Sequence, residues 1–108
     1  MLRMFVIAAA IVAALSLGAT AQGLGSMQVA NDLGSVLASE TACELKFNQA
    51  AIAAYIDENV EATDMGFASN LSTMTSGHEY RLRDMSTSAK TAHCAQISRV
   101  AKSYGFID

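Results

Sequence analysis

Apolar positions fall into two regimes along this chain. Over residues 5–17 they are nearly unbroken: Phe, Val, Ile, Ala and Leu, interrupted only by Ser16. From Met27 onward they recur with helical spacing. Ala30, Leu33, Val36 and Leu37 outline a stripe over 27–38, although Gly34 inside it costs a helix about 1 kcal/mol relative to alanine. Residues 22–26, with Gly23 and Gly25, read as a flexible start, and 39–47 as a connector. Ile52, Tyr55, Ile56 and Val60 then repeat at i, i+3, i+4 and i+8, with Asp57, Glu58 and Glu61 opposite them. That pattern predicts an amphipathic helix over 49–60 capped by Asn48.

Phe67, Ala68, Leu71, Met74 and Thr75 form the next stripe, with Asp64 as its expected N-cap and an end near Gly77. Leu82, Met85, Ala89, Ala92, His93, Gln96, Ile97, Val100 and Tyr104 keep helical spacing over about 78–104. Gly77 either separates these two helices or kinks one long one. Gly105 stands where a helix C-terminal glycine belongs, and Arg99 and Lys102 in the last turns suit the helix dipole. Proline is absent. The expectation is an all-α fold, a small bundle of three or four helices.

The first regime has a different meaning. Its thirteen residues are too few for a membrane span, which needs roughly 20 apolar residues. They follow a short segment with one positive charge, Arg3, and precede Gly18 and the small-x-small pattern Ala19-Thr20-Ala21. This is the layout of a cleavable, bacterial-type secretory signal cut after Ala21. The alternative, an uncleaved anchor over 4–21, requires Ser16, Gly18 and Thr20 to sit in lipid, and no basic stop-transfer cluster follows. The expected organisation is a signal peptide at 1–21, a flexible start with a short helix at 22–38, and a helical domain at 39–108. The mature chain would be periplasmic or secreted, with no membrane span.

A mature chain of 87 residues buries only about 60–65% of its unfolded surface, so its core alone gives a thin margin. Small exported domains often add a covalent staple. Cys43 and Cys94 are the chain's two cysteines, and an even count in an exported chain favours pairing them. Closing a loop of about 50 residues is worth roughly 4 kcal/mol in the chain-entropy model.

Charge is unevenly spread. Residues 22–64 carry a net −6 and residues 65–108 a net +2. The acidic excess and the lack of a basic stripe argue against nucleic acid as a partner. Internally, the asymmetry suggests an acidic helix lying beside a basic one.

Candidate chemistry is sparse, and no catalytic set and no cofactor are expected. His93 precedes Cys94, but neighbours on a helix point about 100° apart and do not face each other. There is no Cys-x-x-Cys motif and no Gly-x-Ser-x-Gly elbow. Asp57, Glu58 and Glu61 form the wet face of a helix more readily than an acid–base pair. Asn70-Leu71-Ser72 matches the glycosylation sequon but falls inside an expected helix. Zinc lacks ligands at suitable spacing. Softer metal chemistry has candidates in Met74 and His78, spaced i, i+4, with Met85 and His93 further along. Thioether and imidazole suit Cu(I), whereas methionines at core positions also serve as packing.

Beside these residues stands a resemblance. Thr41-Ala42-Cys43-Glu44 is similar to the motif around the first cysteine of the small periplasmic acid-stress chaperones of enteric bacteria. The exported signal, the mature size, the helices and the two cysteines resemble theirs as well. The resemblance implies an acid-responsive chaperone. The chain departs from that pattern in lacking a tryptophan and a lysine-rich C-terminal tail. The residues themselves point first to a non-catalytic exported helical protein that binds an envelope or extracellular protein. A small Met/His copper carrier and an acid-responsive chaperone are the alternatives.

Overall fold

The structure is a computed structural model that describes residues 14–108, with side chains from Gly25 onward. The charged start and most of the apolar run of the expected signal, at 1–13, lie outside the described residues. The described residues form four helices and no strand: α1 (Ala14–Ala42), α2 (Gln49–Asn59), α3 (Phe67–Arg83) and α4 (Thr87–Ser103). None of these is long and apolar enough to cross a membrane.

Helix α1 is the central element. Ala30, Leu33, Val36 and Ala38 bury one face of it. It packs along α3 and, over a shorter stretch, against α4. Three pairings show that α1 and α3 run parallel. Ser26 Oγ donates to Asp64 Oδ2 at 2.6 Å just before α3 begins. Gly34 lies against Met74 and Thr75. Ala38 shares a cleft with Leu82 at the far end. The glycine that weakens α1 locally is explained by this packing. A Cβ at Gly34 would stand 3.0 Å from Met74 Cβ and 3.1 Å from the Thr75 backbone nitrogen, so α3 comes this close because Gly34 carries no side chain.

Parallel helices need a return path, and α2 supplies it. Its N-cap is Asn48, whose Oδ1 accepts from Ala51 N at 3.0 Å. No residue of α2 is fully buried. It is held instead through the end of the chain. Asn48 N donates to Phe106 O at 2.8 Å, and Tyr55 stacks on Tyr104 at 4.6 Å and meets the edge of Phe106 at 5.9 Å. Burial, together with its hydrogen bond to Tyr104, pushes the Tyr55 hydroxyl up to about 12, so Tyr55 stays neutral through any physiological pH.

Two helices end in the same way. At the close of α4, Phe106 N donates to Ala101 O and Gly105 N to Lys102 O, with Gly105 at φ 80°. This is a Schellman cap, and it seats Phe106 in the core at 1% exposure. At the close of α1, Leu45 N donates to Glu40 O and Glu44 N to Thr41 O. Here the left-handed residue is Glu44, at φ 54°, where glycine would be unstrained.

Several expectations are corrected. Residues 22–26 are part of α1 rather than a flexible start, and α1 continues to Ala42, through the first part of the expected connector. It can do so because the inward position after Ala38 is Ser39, fully buried, whose hydroxyl donates to Ser35 O at 2.8 Å. Asp64 does not cap α3. The N-cap position is Gly66, without a side-chain bond, because the Asp64 carboxylate is engaged by Ser26. Gly77 neither breaks nor ends a helix; α3 runs through it to Arg83. The break falls at 84–86, where Ser86 Oγ caps α4 by accepting from Ala89 N at 3.1 Å.

Gly34→Ala gains about 1 kcal/mol of helix propensity and loses about 1–3 kcal/mol to overpacking. It is therefore expected to lower the melting temperature, by about 4–8 °C per kcal/mol of net loss for a domain of this size. Glu44→Gly is the opposite case. It relieves about 1–2 kcal/mol of left-handed strain against about 0.5–1 kcal/mol of added chain entropy, so denaturant unfolding should show a gain of about 0.5–1 kcal/mol. An unstable Glu44→Gly would mean that the Glu44 side chain itself holds the turn.

Candidate functional site

The end of α1, the turn between α3 and α4 and the first turns of α4 converge on one region. Ser39 in the last turn of α1 and Cys43 just past its end, four positions apart, are bound by adjacent residues of α4. Cys43 is bonded to Cys94 across a sequence separation of 51 residues, with Cα atoms 5.4 Å apart. Ser39 Oγ lies 2.8 Å from His93 Nε2. The remaining loop is tied down as well, since Phe47 N donates to Glu40 Oε2 at 2.8 Å.

The Ser39–His93 pair has the elements of a nucleophile and a base, but not their arrangement. The Ser39 hydroxyl proton is already given to Ser35 O. His93 Nε2 therefore carries a proton and donates to Ser39 Oγ, the reverse of what general-base activation requires. Ser39 is also 0% exposed, so no substrate reaches it. The pair pins α4 to α1.

Where α3 and α4 diverge from their shared turn, two cavities open side by side. One, about 360 Å³, is lined by Leu37, Ala38 and Thr41 of α1, Glu79 and Leu82 of α3, and Lys90 of α4 among others. The second, about 600 Å³, continues past Met85, Thr87 and Thr91 to the disulfide and Glu44. Ala42, Leu82, Arg83 and Lys90 line both, which makes the two a single groove. These four lie where the two cavities join, while Glu79 lines only the first and Glu44 only the second. Ala38 and Leu82 are themselves buried. None of the lining residues is a histidine or a free thiol.

The candidate soft-metal residues are divided by the fold. Met74 and His78 meet in a separate cleft with Asn31, Gly77, Tyr80 and Arg81. There His78 Nε2 lies 3.1 Å from Asn31 Oδ1, so that nitrogen is engaged. Met85 lines the groove beside the disulfide, and His93 is bound to Ser39. No cluster of three or more His, Cys, Asp or Glu side chains suited to a metal occurs among the described residues. Asp57, Glu58 and Glu61 are exposed, as their spacing predicts. The acidic helix beside a basic one is α1, with Asp32 and Glu40 and no lysine or arginine, which packs along α3 with Arg81 and Arg83 in its last turn, whereas α2 packs closely along neither α3 nor α4.

Reading the residues alone missed the groove. Arg83 and Lys90 entered only through the net charge of residues 65–108, and Leu82 and Met85 as part of one continuous stripe. The signal that could have located it was Ser86-Thr87-Ser88, an N-cap candidate inside the supposed last helix. No family model, no characterised protein and no solved structure matches the chain.

His78 gives the region a pH dependence. Burial, with Arg81 close by, holds its imidazole below the usual histidine value, and Asn31 and Asp32 only partly oppose this. The folded state therefore prefers neutral His78. Its stabilising effect is complete above about pH 6.5, the value in the unfolded chain, and is lost as pH falls through the lower folded value. His78→Gln should flatten the fall in stability below about pH 6.5 in urea unfolding measured across pH; an unchanged slope would assign the effect to carboxylates instead.

Proposed function

We propose that this chain is an exported, non-catalytic helical protein that acts by docking another protein of the cell envelope in the groove between α1, α3 and α4. The observation that carries the reading is the composition of that groove. Leu37, Ala38 and Leu82 line it together with Arg83, Lys90 and the hydroxyls of Thr41, Thr87 and Thr91. Arginine beside apolar side chains, bordered by hydroxyls, is a composition found at protein-binding surfaces. An open groove between helices is a common seat for a partner helix.

Two further features support it. The disulfide forms one end of the groove, so an oxidising compartment would keep the walls in register. The strained backbone of Glu44 lies on the same rim, and strain of this kind collects at working surfaces. Export fits the expected signal cut after Ala21, the disulfide, and the lack of a membrane-spanning helix among the described residues.

Site-specific photo-crosslinking tests the reading. A photoreactive residue at Thr41 or Thr87, with Asn70 on the outer face of α3 as control, is expected to give one discrete adduct with a different envelope protein from the groove positions only. Arg83→Glu together with Lys90→Glu should remove it. Adducts at all three positions alike, or none from the groove, would overturn the assignment.

A further inference from the structure

The bridge between Cys43 and Cys94 is not sealed inside the core. Both cysteines are half-buried, and both line the cavity of about 600 Å³ beside the turn between α3 and α4. A cavity of that size admits a small organic molecule. Arg83 and Lys90 line it as well, and Glu44 is its one acidic lining residue. The two sulfurs have opposite surroundings. Lys90 precedes Cys94 by four positions on α4, one turn away on the same face. Cys43 follows the last residue of α1, at the negative end of that helix's dipole, and Glu44 is its neighbour in the chain. Nearby cations stabilise a thiolate, and nearby negative charge destabilises one. A bridge opened here therefore leaves its charge on Cys94.

We propose that this disulfide is a thiol-exchange site, at which the thiolate of a small thiol entering the cavity bonds to Cys43 and expels Cys94. The entering thiolate attacks Cys43 Sγ. The bond to Cys94 Sγ breaks, and its electron pair departs with Cys94, which becomes a thiolate beside Lys90 and Arg83. One sulfur–sulfur bond replaces another and one thiolate replaces another, so the step is neither a net oxidation nor a net reduction. Negative charge is shared among the three sulfurs while the bonds exchange, so the two cations act on the transition state as well as on the product. A second molecule of the same thiol then removes the first from Cys43 as a disulfide and leaves both cysteines reduced. With the bridge open, the Ser39–His93 hydrogen bond is the remaining polar tie at that crossing of α1 and α4. The inference does not depend on what the groove docks.

Reaction of the purified, oxidised protein with reduced glutathione in native buffer tests this. Acid-quenched samples should contain an adduct of one glutathione per chain, and peptide mapping should place it on Cys43 with Cys94 free. The rate should rise in proportion to glutathione and stay constant across urea concentrations below the unfolding transition, because the folded molecule is the one attacked. Arg83→Gln together with Lys90→Gln should slow the reaction about three- to tenfold, with the melting of the oxidised protein as in the parent, and should have no such effect on the urea-unfolded chain. Lys102→Gln, exposed in the last turn of α4, should leave the rate unchanged. A rate that climbs with urea below the transition shows that the bridge reacts only when the fold opens, and overturns the proposal. So does an adduct on Cys94, or a native rate indifferent to the loss of both cations. None of these results bears on the crosslink to a different envelope protein, so the two readings are separable.

Discussion

The covalent tie between Cys43 and Cys94 constrains the region on which the site is built. A domain this small has only a thin stability margin from packing alone. The core assembled by α1, α3 and α4 is modest: a few aliphatic side chains on α1, Phe67 and Ile97, and the pair Phe47 and Phe106. Helix α4 meets α1 over a short stretch. At that crossing, the sulfur bridge and the Ser39–His93 hydrogen bond do what a wider interface would do in a larger protein. Closing a loop of 51 residues removes roughly 4 kcal/mol of unfolded-state freedom, a large part of the stability such a domain can have.

The groove follows from the same arrangement. Because α4 is fastened at one point instead of along α3, the two helices separate after their turn and leave the end of α1 uncovered between them. Leu37 stays half-buried there, beside a Leu82 that is already buried. Arg83 and Lys90 line the opening because they flank the turn. The groove is thus a product of sparse packing and not a feature added to a finished bundle. That also explains why its walls depend on the cap of α1, where a glutamate takes a conformation suited to glycine.

The sequence disclosed those parts of the fold that rest on local rules. Helix α2 and its Asn48 cap, the terminal glycine at Gly105 and the pairing of the cysteines all follow from spacing, composition or chain chemistry, and all are present. What escaped depends on distant partners. The continuation of α1 through Ser39 requires a buried hydroxyl with a local carbonyl acceptor, and nothing in the apolar pattern reports that. Asp64 has the chemistry of a cap, but Ser26, 38 positions away, claims its carboxylate. Gly77 looked like a break because glycine is a poor helix former, yet α3 passes through it while an unremarkable Asp84-Met85-Ser86 makes the turn. The candidate site was illegible for the same reason: its residues come from three helices and share no motif.

The parallel course of α1 and α3 bears on how the chain reaches its native state. An up-and-down bundle joins neighbours in sequence. Here the pairs that define the architecture, Gly34 with Met74, Ser39 with His93 and Asn48 with Phe106, are 40 to 58 positions apart. Such remote pairings must overcome loop-closure entropy before they yield any contact energy. The protein has the secondary structure of a fast-folding class and the connectivity of a slower one, and its helices must wait, partly formed and unpaired, for segments far along the chain to arrive.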